Sequence, residues 1–206
     1  KTKDPPGGEI RRSKNGKPTG ILLDNAIDLV SQLIPRPTLE QNADTLAAGY
    51  ARMAEAGITT CLHAAADETE LAALALLADA GPLAVRPHVA IRVDAEEATD
   101  PAVMLARLED LRSTYGRPGV AIDNIKMFFD GVIEYPTQTA ALLKPYRVNK
   151  GTEDEPRFGP GKDRGPTYWP TDVAEAAITP ADAAGWQVHA HAIGDRPAPT
   201  APACSG

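Results

Sequence analysis

The most constraining feature of the sequence is a regular alternation between helix-forming and strand-forming segments. After residue 38, apolar side chains recur first at helical spacing and then in short, nearly continuous runs, and this unit repeats along the chain. Apolar strands that alternate with helices are typical of a parallel sheet covered by helices. The pattern predicts strands over 58–63, 85–93, 120–129 and 186–193.

The starts of the predicted helices carry recognisable capping signals. Two are capping boxes, and a third places proline at the first helical position, where its missing N–H has no cost. A last helix is predicted over 171–184, and we expect Pro180 to interrupt it, because proline cannot donate the bond that a helix interior needs. The three signals are Thr38 with Gln41, Asp67 with Glu70, and Asp100 followed by Pro101.

The segments outside this alternation divide the chain into parts. Residues 1–37 form a loop or hairpin region, residues 38–196 contain the helix–strand units, and residues 131–169 within them are irregular and rich in Gly, Pro and charge. The tail over 197–206 has no periodicity, and its prolines forbid a helix. Since the chain also begins with Lys rather than Met, we expect both ends to be cut and the tail to be out of frame.

Composition excludes several classes of protein. The 206 residues carry 21 Lys and Arg against 28 Asp and Glu, and this net charge of −7 argues against nucleic acid as a partner. No apolar run reaches the ~20 residues that a membrane-spanning helix needs. Cys61 and Cys204 are too few for a disulfide framework or a cysteine zinc site. We therefore expect a globular protein, cytoplasmic by default, with no nucleic-acid or membrane partner.

Two closures of a parallel sheet agree with the alternation, an open doubly wound sheet and a (β/α) barrel. No Gly-x-Gly-x-x-Gly follows a predicted strand, which weakens the nucleotide-binding form of the open sheet. In a barrel, catalytic residues lie at the carboxyl ends of the strands. Residues at those ends are therefore the candidates for chemistry.

The last predicted strand carries two histidines, His189 and His191, at a spacing of two residues. Because side chains alternate along a strand, both imidazoles are predicted on one face, where they can bind one metal ion. The alternative is that one histidine is a satisfied structural residue and the other a chance neighbour.

Lys126 lies inside the apolar strand over 120–129. A buried ammonium is costly unless it is paired or modified. Four interpretations remain open from the residues alone. Lys126 is a Schiff-base nucleophile, a cation that binds substrate, a lysine carbamylated by carbon dioxide that bridges two metal ions, or a structural lysine that either extends its ammonium to solvent at the strand end or pairs with Asp130 or Asp123.

Further polar residues stand at strand ends. His63 ends the first strand, and the turns Asp130-Gly131 and Gly194-Asp195 follow the third and fourth strands. We interpret His63, Asp130 and Asp195 first as structural residues and second as substrate contacts. Cys61 is predicted to be a small core residue. No Ser-His-Asp or Cys-His set has supporting context, so acyl-enzyme chemistry has no support.

Several separate motifs in the same order resemble the amidohydrolase 3 family, and within it the YtcJ-like, N-substituted formamide deformylase-like group. The resemblance runs from about Asp4 to Arg196. The motifs are Asp4-Pro-Pro-Gly-Gly-Glu-Ile-Arg-Arg, Gly16-Lys-Pro-Thr-Gly-Ile-Leu, Gly57-Ile-Thr-Thr, Ile125-Lys-Met-Phe-Phe-Asp-Gly, Thr139-Ala-Ala-Leu-Leu-Lys-Pro-Tyr and Val188-His-Ala-His-Ala-Ile-Gly-Asp.

The resemblance implies a metal-dependent hydrolase on a TIM-like (β/α)8 barrel, of which this chain is a fragment holding strands two to five. It implies one or two divalent ions, zinc or another metal, held by a carbamylated Lys126 and by His191, with His189 the close second. The family's first-strand His-x-His, sixth-strand histidine and eighth-strand aspartate have no counterpart in this sequence. In the place of the family's His-Asp-Ala-Gly, His63 is followed by three alanines.

The function implied is hydrolysis of a C–N bond in a small amide or formamide-like molecule by metal-activated water. Because part of the ligand set is absent, we expect this chain alone to be inactive. The alternatives are a Schiff-base lyase that uses Lys126 and a non-catalytic gene remnant. Four strands of an open sheet would leave two unpaired edges, so self-association through these edges is also expected.

Overall fold

The computed structural model describes residues 2–5, 8–24, 26–135, 137–152 and 154–196. The chain divides into two compact units. The first contains Lys1–Pro37 together with Glu134–Thr137, and the second contains Thr38–Ile133 together with Gln138–Gly206. The expectations for the tail over 197–206, including Cys204, lie outside the described residues.

The first unit is built on an antiparallel hairpin of β1 (Gly8–Arg12) and β2 (Pro18–Asp24), followed by the short helix α1 (Asp28–Ser31). Gly16 lies in the hairpin turn with φ of 78°, a left-handed conformation that glycine adopts without steric cost.

The second unit contains the alternating elements. In chain order they are α2 (Leu39–Glu55), β3 (Thr60–Ala66), α3 (Glu68–Ala80), β4 (Arg86–Arg92), a 3₁₀ turn (Glu97–Thr99), α4 (Pro101–Tyr115), β5 (Ala121–Phe128), β6 (Arg147–Asn149), β7 (Phe158–Pro160), α5 (Thr171–Ala183) and β8 (Gln187–His191). The small antiparallel pair of β6 and β7 lies in the segment predicted to be irregular. Its strands of three residues are too short to show a period in the sequence.

Four strands form one parallel sheet in the order β3-β4-β5-β8. The strands thus follow one another across the sheet as they do along the chain, without the reversal that a doubly wound sheet contains. The predicted α/β fold with a parallel sheet is confirmed. Among the described residues, β3 and β8 each pair with one strand only.

The predicted capping boxes begin helices α2 and α3. The Thr38 hydroxyl accepts the Gln41 N–H at 3.2 Å, and the Gln41 side chain accepts the Thr38 N–H at 2.9 Å. Asp67 and Glu70 exchange the same two bonds at 2.9 and 3.0 Å. Each box satisfies two N–H groups that would otherwise lack partners at the helix start.

Helix α5 runs through Pro180 without a break, so the predicted interruption is wrong. Proline removes the hydrogen bond to the carbonyl of Ala176, but it stands only one turn from the helix end. Ala177, Ile178 and Ala181 on either side are buried in the core. Packing of this face offsets the lost bond, because tertiary contacts supply most of a helix's stability in a folded protein.

The hydrophobic core lies between the sheet and the helices. Val89, Ile91, Ile125 and Met127 of the two middle strands pack there, against helix residues such as Leu108. Because side chains alternate along a strand, the residues between them face the opposite side of the sheet. None of the helices in the described part of the chain combines the length and the apolar composition needed to span a bilayer.

Candidate functional site

The register of the parallel sheet brings three of the predicted residues together at its carboxyl end. Lys126 on β5 is the pairing partner of His189 on β8, and Phe128 is the partner of His191. On the other side, Arg92 of β4 pairs with Lys126. Along their strands these residues alternate with core-facing residues such as Ile125 and Met127. They therefore lie on the face of the sheet away from the helices. We call Lys126, His189 and His191 the β5–β8 cluster.

Lys126 is 6% exposed, and its Nζ lies 4.7 Å from the centroid of the Phe128 ring. Within the described residues it forms no ion pair. Asp123 bonds His88 at 2.9 Å instead, and Asp130 bonds backbone amides, so pairing with either aspartate is wrong. Burial lowers the pKa of Lys126, because an ammonium loses its hydration there. The ring face offsets part of that loss.

His189 presents a buried nitrogen without a partner. Its Nδ1 is shielded from solvent and has no hydrogen bond among the described residues. Its pKa is lowered, first by burial and then by the positive charges of Lys126 and His191. Both effects disfavour the imidazolium form, so His189 is a neutral imidazole with a nitrogen available to a ligand.

The ring of His191 is held by a hydrogen bond at its Nε2 nitrogen. Its Nε2 lies 2.8 Å from the carbonyl oxygen of Gly131, and its ring packs against Phe128 with centroids 5.4 Å apart. Because a carbonyl oxygen only accepts, Nε2 carries the hydrogen, which leaves Nδ1 as the nitrogen with the lone pair in the matching neutral tautomer. A backbone carbonyl bound to one imidazole nitrogen is the usual support for a histidine that binds a metal through the other.

Asp130 is fully buried, and both of its oxygens are occupied by the backbone. Oδ2 accepts the N–H groups of Ala141 at 2.8 Å and Gly194 at 2.7 Å, and Oδ1 accepts that of Ile193 at 2.9 Å. Asp130 lines the cleft, but three of its roughly four acceptor positions are used in holding the loops. The first interpretation of Asp130-Gly131 as a structural turn describes this arrangement.

Asp195 also anchors a loop. Its Oδ1 accepts the N–H of Leu143 at 2.7 Å, and it lines a different cavity from His191. The neighbouring Gly194 has a steric reason to be glycine, since a Cβ there would lie 1.9 Å from the carbonyl oxygen of Ala141. The Gly-Asp turn after β8 therefore fixes the segment that contains Ala141.

His63 lies with the helices rather than with the β5–β8 cluster. Its Nδ1 is 3.5 Å from the hydroxyl of Tyr50 in α2, and its Nε2 is 3.5 Å from the carboxylate of Glu70 in α3. Burial is the main cause of the raised pKa of Tyr50, which therefore stays protonated. His63 is not among the residues that line the cleft beside His191, and its contacts are those of a structural histidine.

A cleft of about 460 Å³ opens at the carboxyl ends of β4, β5 and β8. Its walls include the rings of Phe128, Tyr168 and Trp169, and one charged pair lies at its side, with side-chain atoms of Arg92 and Asp94 3.0 Å apart. The residues lining it are Arg92, Asp94, Ala95, Phe128, Asp130, Gly131, Val132, Tyr168, Trp169 and His191. A small organic molecule with an apolar group fits such walls.

Sequence reasoning missed most of these lining residues, among them Arg92, Tyr168 and Trp169. Arg92 lies at the end of a predicted strand, which was a usable signal in a barrel. Tyr168 and Trp169 belong to the segment without periodicity, and nothing local indicates that they reach the cleft. They do so because the Tyr168 N–H bonds the Phe129 carbonyl at 2.9 Å, which fixes them beside β5.

The donor set of the β5–β8 cluster fits part of a metal site. It offers the unpartnered Nδ1 of His189, the Nδ1 of His191, and a lysine amine whose pKa is lowered. Neutral imidazole nitrogens are good ligands for zinc and related ions. In the described part of the chain, no three His, Cys, Asp or Glu side chains come together to hold a metal ion.

Comparison with known proteins gives concordant matches. Residues 1–199 match the sequence model of the amidohydrolase family, Amidohydro_3. The chain is 28% identical over 205 residues to the exoenzymes regulatory protein AepA of Pectobacterium carotovorum subsp. carotovorum, covering 95% of this chain and 39% of that protein. It is 28% identical over 199 residues to the putative amidohydrolase YtcJ of Bacillus subtilis (strain 168), covering 94% and 33%.

Two solved structures share the fold. An uncharacterized metal-dependent hydrolase from Pyrococcus horikoshii OT3 has a TM-score of 0.65 at 20% identity, over 93% of this chain and 36% of that one. A second from Pyrococcus furiosus has a TM-score of 0.60 at 17% identity, over 91% and 36%. The chain thus spans roughly a third of the length of the proteins that it matches.

Proposed function

The chain belongs to the amidohydrolase family, and from this premise we propose that its β5–β8 cluster is one part of a metal centre for hydrolysis. The reaction proposed is cleavage of a C–N bond in a small amide or formamide-like molecule by metal-activated water. The observation that carries the proposal is the buried Nδ1 of His189, which has no hydrogen-bond partner among the described residues. The strand residue paired with His189 is Lys126, whose pKa is lowered by burial.

A buried nitrogen acceptor without a partner loses its hydration and gains nothing in return. A metal ion bound at Nδ1 of His189 would supply the missing bond. In the β5–β8 cluster the two imidazoles, His189 and His191, would hold the ion, and His191 is already oriented by the Gly131 carbonyl. A bound zinc or other divalent ion supplies Lewis acidity for the carbonyl and lowers the pKa of its water toward ~7.

Lys126 is proposed to join the site as a carbamate. A lysine whose pKa is lowered has a larger neutral fraction, and a neutral amine adds carbon dioxide to give a carbamate while releasing one proton. The product is an anion, which adjoining cations such as Arg92 and a bound metal ion would compensate. A carbamate at this position can bridge two ions, so we propose one or two metals.

The cleft beside His191 is the proposed substrate site. Phe128, Tyr168 and Trp169 provide flat apolar walls, and the Arg92–Asp94 pair offers both a donor and an acceptor for a polar substituent. The substrate class proposed is therefore a small amide that carries an apolar group.

The sheet is proposed to be four consecutive strands, two to five, of a (β/α)8 barrel. The strand order without reversal supports this, and so does the likeness to two structures whose titles describe metal-dependent hydrolases. A complete barrel of ~250 residues has eight strands, and its catalytic residues come from the ends of several of them. We therefore propose that this chain binds metal but does not turn over substrate by itself, and that its β3 and β8 edges pair with further strands or with a second copy.

Metal binding by the 206-residue chain tests the proposal directly. We expect zinc to bind in isothermal titration calorimetry, and we expect His189→Ala and His191→Ala each to weaken binding by roughly 10-fold or more. His88→Ala is the matched control, because His88 is an exposed histidine bonded to Asp123 and lies outside the cluster. A chain that binds no zinc, or that loses as much affinity in the control, would contradict the proposal.

A second candidate, a Schiff-base lyase, rests on the same lowered pKa of Lys126. In that reaction the neutral amine adds to a substrate carbonyl, and the adduct loses water to form an imine. Borohydride would reduce the imine to a stable amine on Lys126, which mass spectrometry detects. A ¹³C carbamate signal in ¹³CO₂-saturated buffer that disappears in Lys126→Met favours the hydrolase instead. If neither signal appears and zinc does not bind, the chain is a non-catalytic remnant.

A further inference from the structure

Asp130 stands at a junction of three chain segments. It is 1% exposed, and it accepts three backbone N–H groups from residues far from it in sequence. One belongs to the loop at Ala141, and two belong to the turn after β8, at Ile193 and Gly194. Three N–H dipoles directed at one carboxylate compensate for its burial, since charge-assisted bonds of this kind are strong.

The same junction holds His191. Ile193 and Gly194 follow His191 after the single residue Ala192, so Asp130 fixes the backbone turn that leaves the histidine. Gly131, the residue after Asp130, accepts the Nε2 hydrogen at 2.8 Å. The Phe129 N–H, just before Asp130, donates to the His191 carbonyl at 2.9 Å. Residues 129–131 therefore hold the backbone, the following turn and the ring of His191.

The close approach of the backbones makes this arrangement rigid. A Cβ on Gly194 would lie 1.9 Å from the Ala141 carbonyl oxygen, and a Cβ on Gly131 would lie 2.0 Å from the hydroxyl oxygen of Thr139. The Asp130 carboxylate ties the Ala141 loop to the turn after β8, and the bond from the Arg196 N–H to the Ala141 carbonyl, at 3.1 Å, joins the same two segments.

We propose that Asp130 is the positioning residue for His191. Its carboxylate fixes the β8 turn so that the Gly131 carbonyl holds Nε2–H, which leaves Nδ1 of His191 as the nitrogen with the lone pair. The part of this inference that concerns metal affinity rests on the proposed function, whereas the part that concerns the tautomer does not.

Asparagine is the informative substitution at position 130. Asp130→Asn keeps the size of the side chain, but its amide nitrogen cannot accept a hydrogen bond, so at least one of the three N–H groups faces a donor. Asp195→Asn is the matched control. Asp195 accepts one N–H from the same loop, at Leu143, and within the described part of the chain its carboxylate bonds none of Gly131, Ile193 and Gly194.

The test is long-range ¹H–¹⁵N NMR of the histidine rings in the full 206-residue chain without metal, followed by zinc titration. We expect His191 to be the Nε2–H tautomer in the wild type and in Asp195→Asn. In Asp130→Asn we expect a mixture of tautomers and a zinc affinity lower by roughly 10-fold or more. An unchanged tautomer and affinity in Asp130→Asn would overturn the positioning role.

The two proposals fail in different ways. If the tautomer changes in Asp130→Asn but no variant binds zinc, the proposed function fails and the positioning role stands. If zinc binds through His191 but Asp130→Asn changes nothing, only the positioning role fails. Asp130→Glu, which keeps the charge, is the second variant if the asparagine variant does not fold. If both fail to fold, the wild-type spectrum decides, because an Nδ1–H tautomer of His191 overturns the proposal and an Nε2–H tautomer supports it.

Discussion

Replacing Trp186 by Phe is expected to lower the free energy of unfolding by about 2 kcal/mol. Trp186 immediately precedes β8 and is 1% exposed. Its Nε1 donates to a carboxylate oxygen of Glu109 in α4 at 3.0 Å, and the Arg112 guanidinium lies 4.5 Å from its ring centroid. One side chain thus joins the start of the last strand to helix α4.

Two losses make up this magnitude. Phenylalanine cannot donate a hydrogen bond, and a bond to a carboxylate contributes about 1 kcal/mol when its acceptor is partly hydrated. The side chain of Glu109 is 48% exposed, so the contribution of this bond is small for a hydrogen bond to a charged group. The smaller ring also buries roughly 40 Å² less apolar surface, which at about 25 cal/mol per Å² is another ~1 kcal/mol.

Urea denaturation followed by circular dichroism measures the change, and Trp169 remains as a fluorescent probe. The double-mutant cycle of Trp186→Phe with Glu109→Ala isolates the hydrogen bond, for which we expect a coupling energy of about 0.5–1 kcal/mol. A coupling energy within error of zero would refute the role of the bond. A total loss below about 0.5 kcal/mol would refute the packing argument as well.

Four further predictions address pH, capping and reactivity. Because the pKa of His189 is lowered in the native state, the unfolded chain binds a proton at this residue first as the pH falls below 6.5. Urea melts should therefore show the free energy of unfolding decreasing below pH 6.5, and His189→Gln should make this decrease smaller. Because burial lowers the pKa of Lys126, the free energy of unfolding should rise as the pH rises toward 10.5. Lys126→Met should therefore stabilise the chain at pH 7, and its difference in unfolding free energy from the wild type should shrink in alkaline carbonate-free buffer. Asp67→Ala should cost about 1 kcal/mol in thermal or urea unfolding, whereas Thr69→Ala, at an exposed position that takes no part in the cap, should cost less. Because burial raises the pKa of the Cys61 thiol, a Cys204→Ser chain should react with Ellman's reagent more slowly when native than in urea, and equal rates would contradict this burial.

Much of the fold could be predicted because its signals are local. The capping boxes at Thr38 and Asp67 each lie within four residues, and both begin the helices that they predict. The apolar strands were visible for the same reason. The pair of β6 and β7 was missed because strands of three residues are too short for a periodic pattern. The predicted break at Pro180 was wrong because the packing of α5 in the core outweighs the local cost of proline in a helix, and the sequence does not show that packing.

The candidate site divides in the same way. The spacing of His189 and His191 predicts that both rings share a face, since that follows from the geometry of one strand. That Lys126 lies opposite His189 depends on the register between two strands, which only the sheet decides. The predicted pairing of Lys126 with a nearby aspartate was wrong, because Asp123 and Asp130 bind other partners.

By itself, the sequence determined the alternation of elements, their caps, the identity of the candidate ligands and the family motifs, because each is encoded within a few neighbouring residues. Only the tertiary structure decided what each polar side chain binds. Asp130 meets Gly194 across 64 residues, and His191 meets Gly131 across 60. A local sequence pattern cannot predict contacts between residues so far apart in the chain. The partners meet only when hydrophobic burial packs the helices on the sheet and brings the strand ends to one edge.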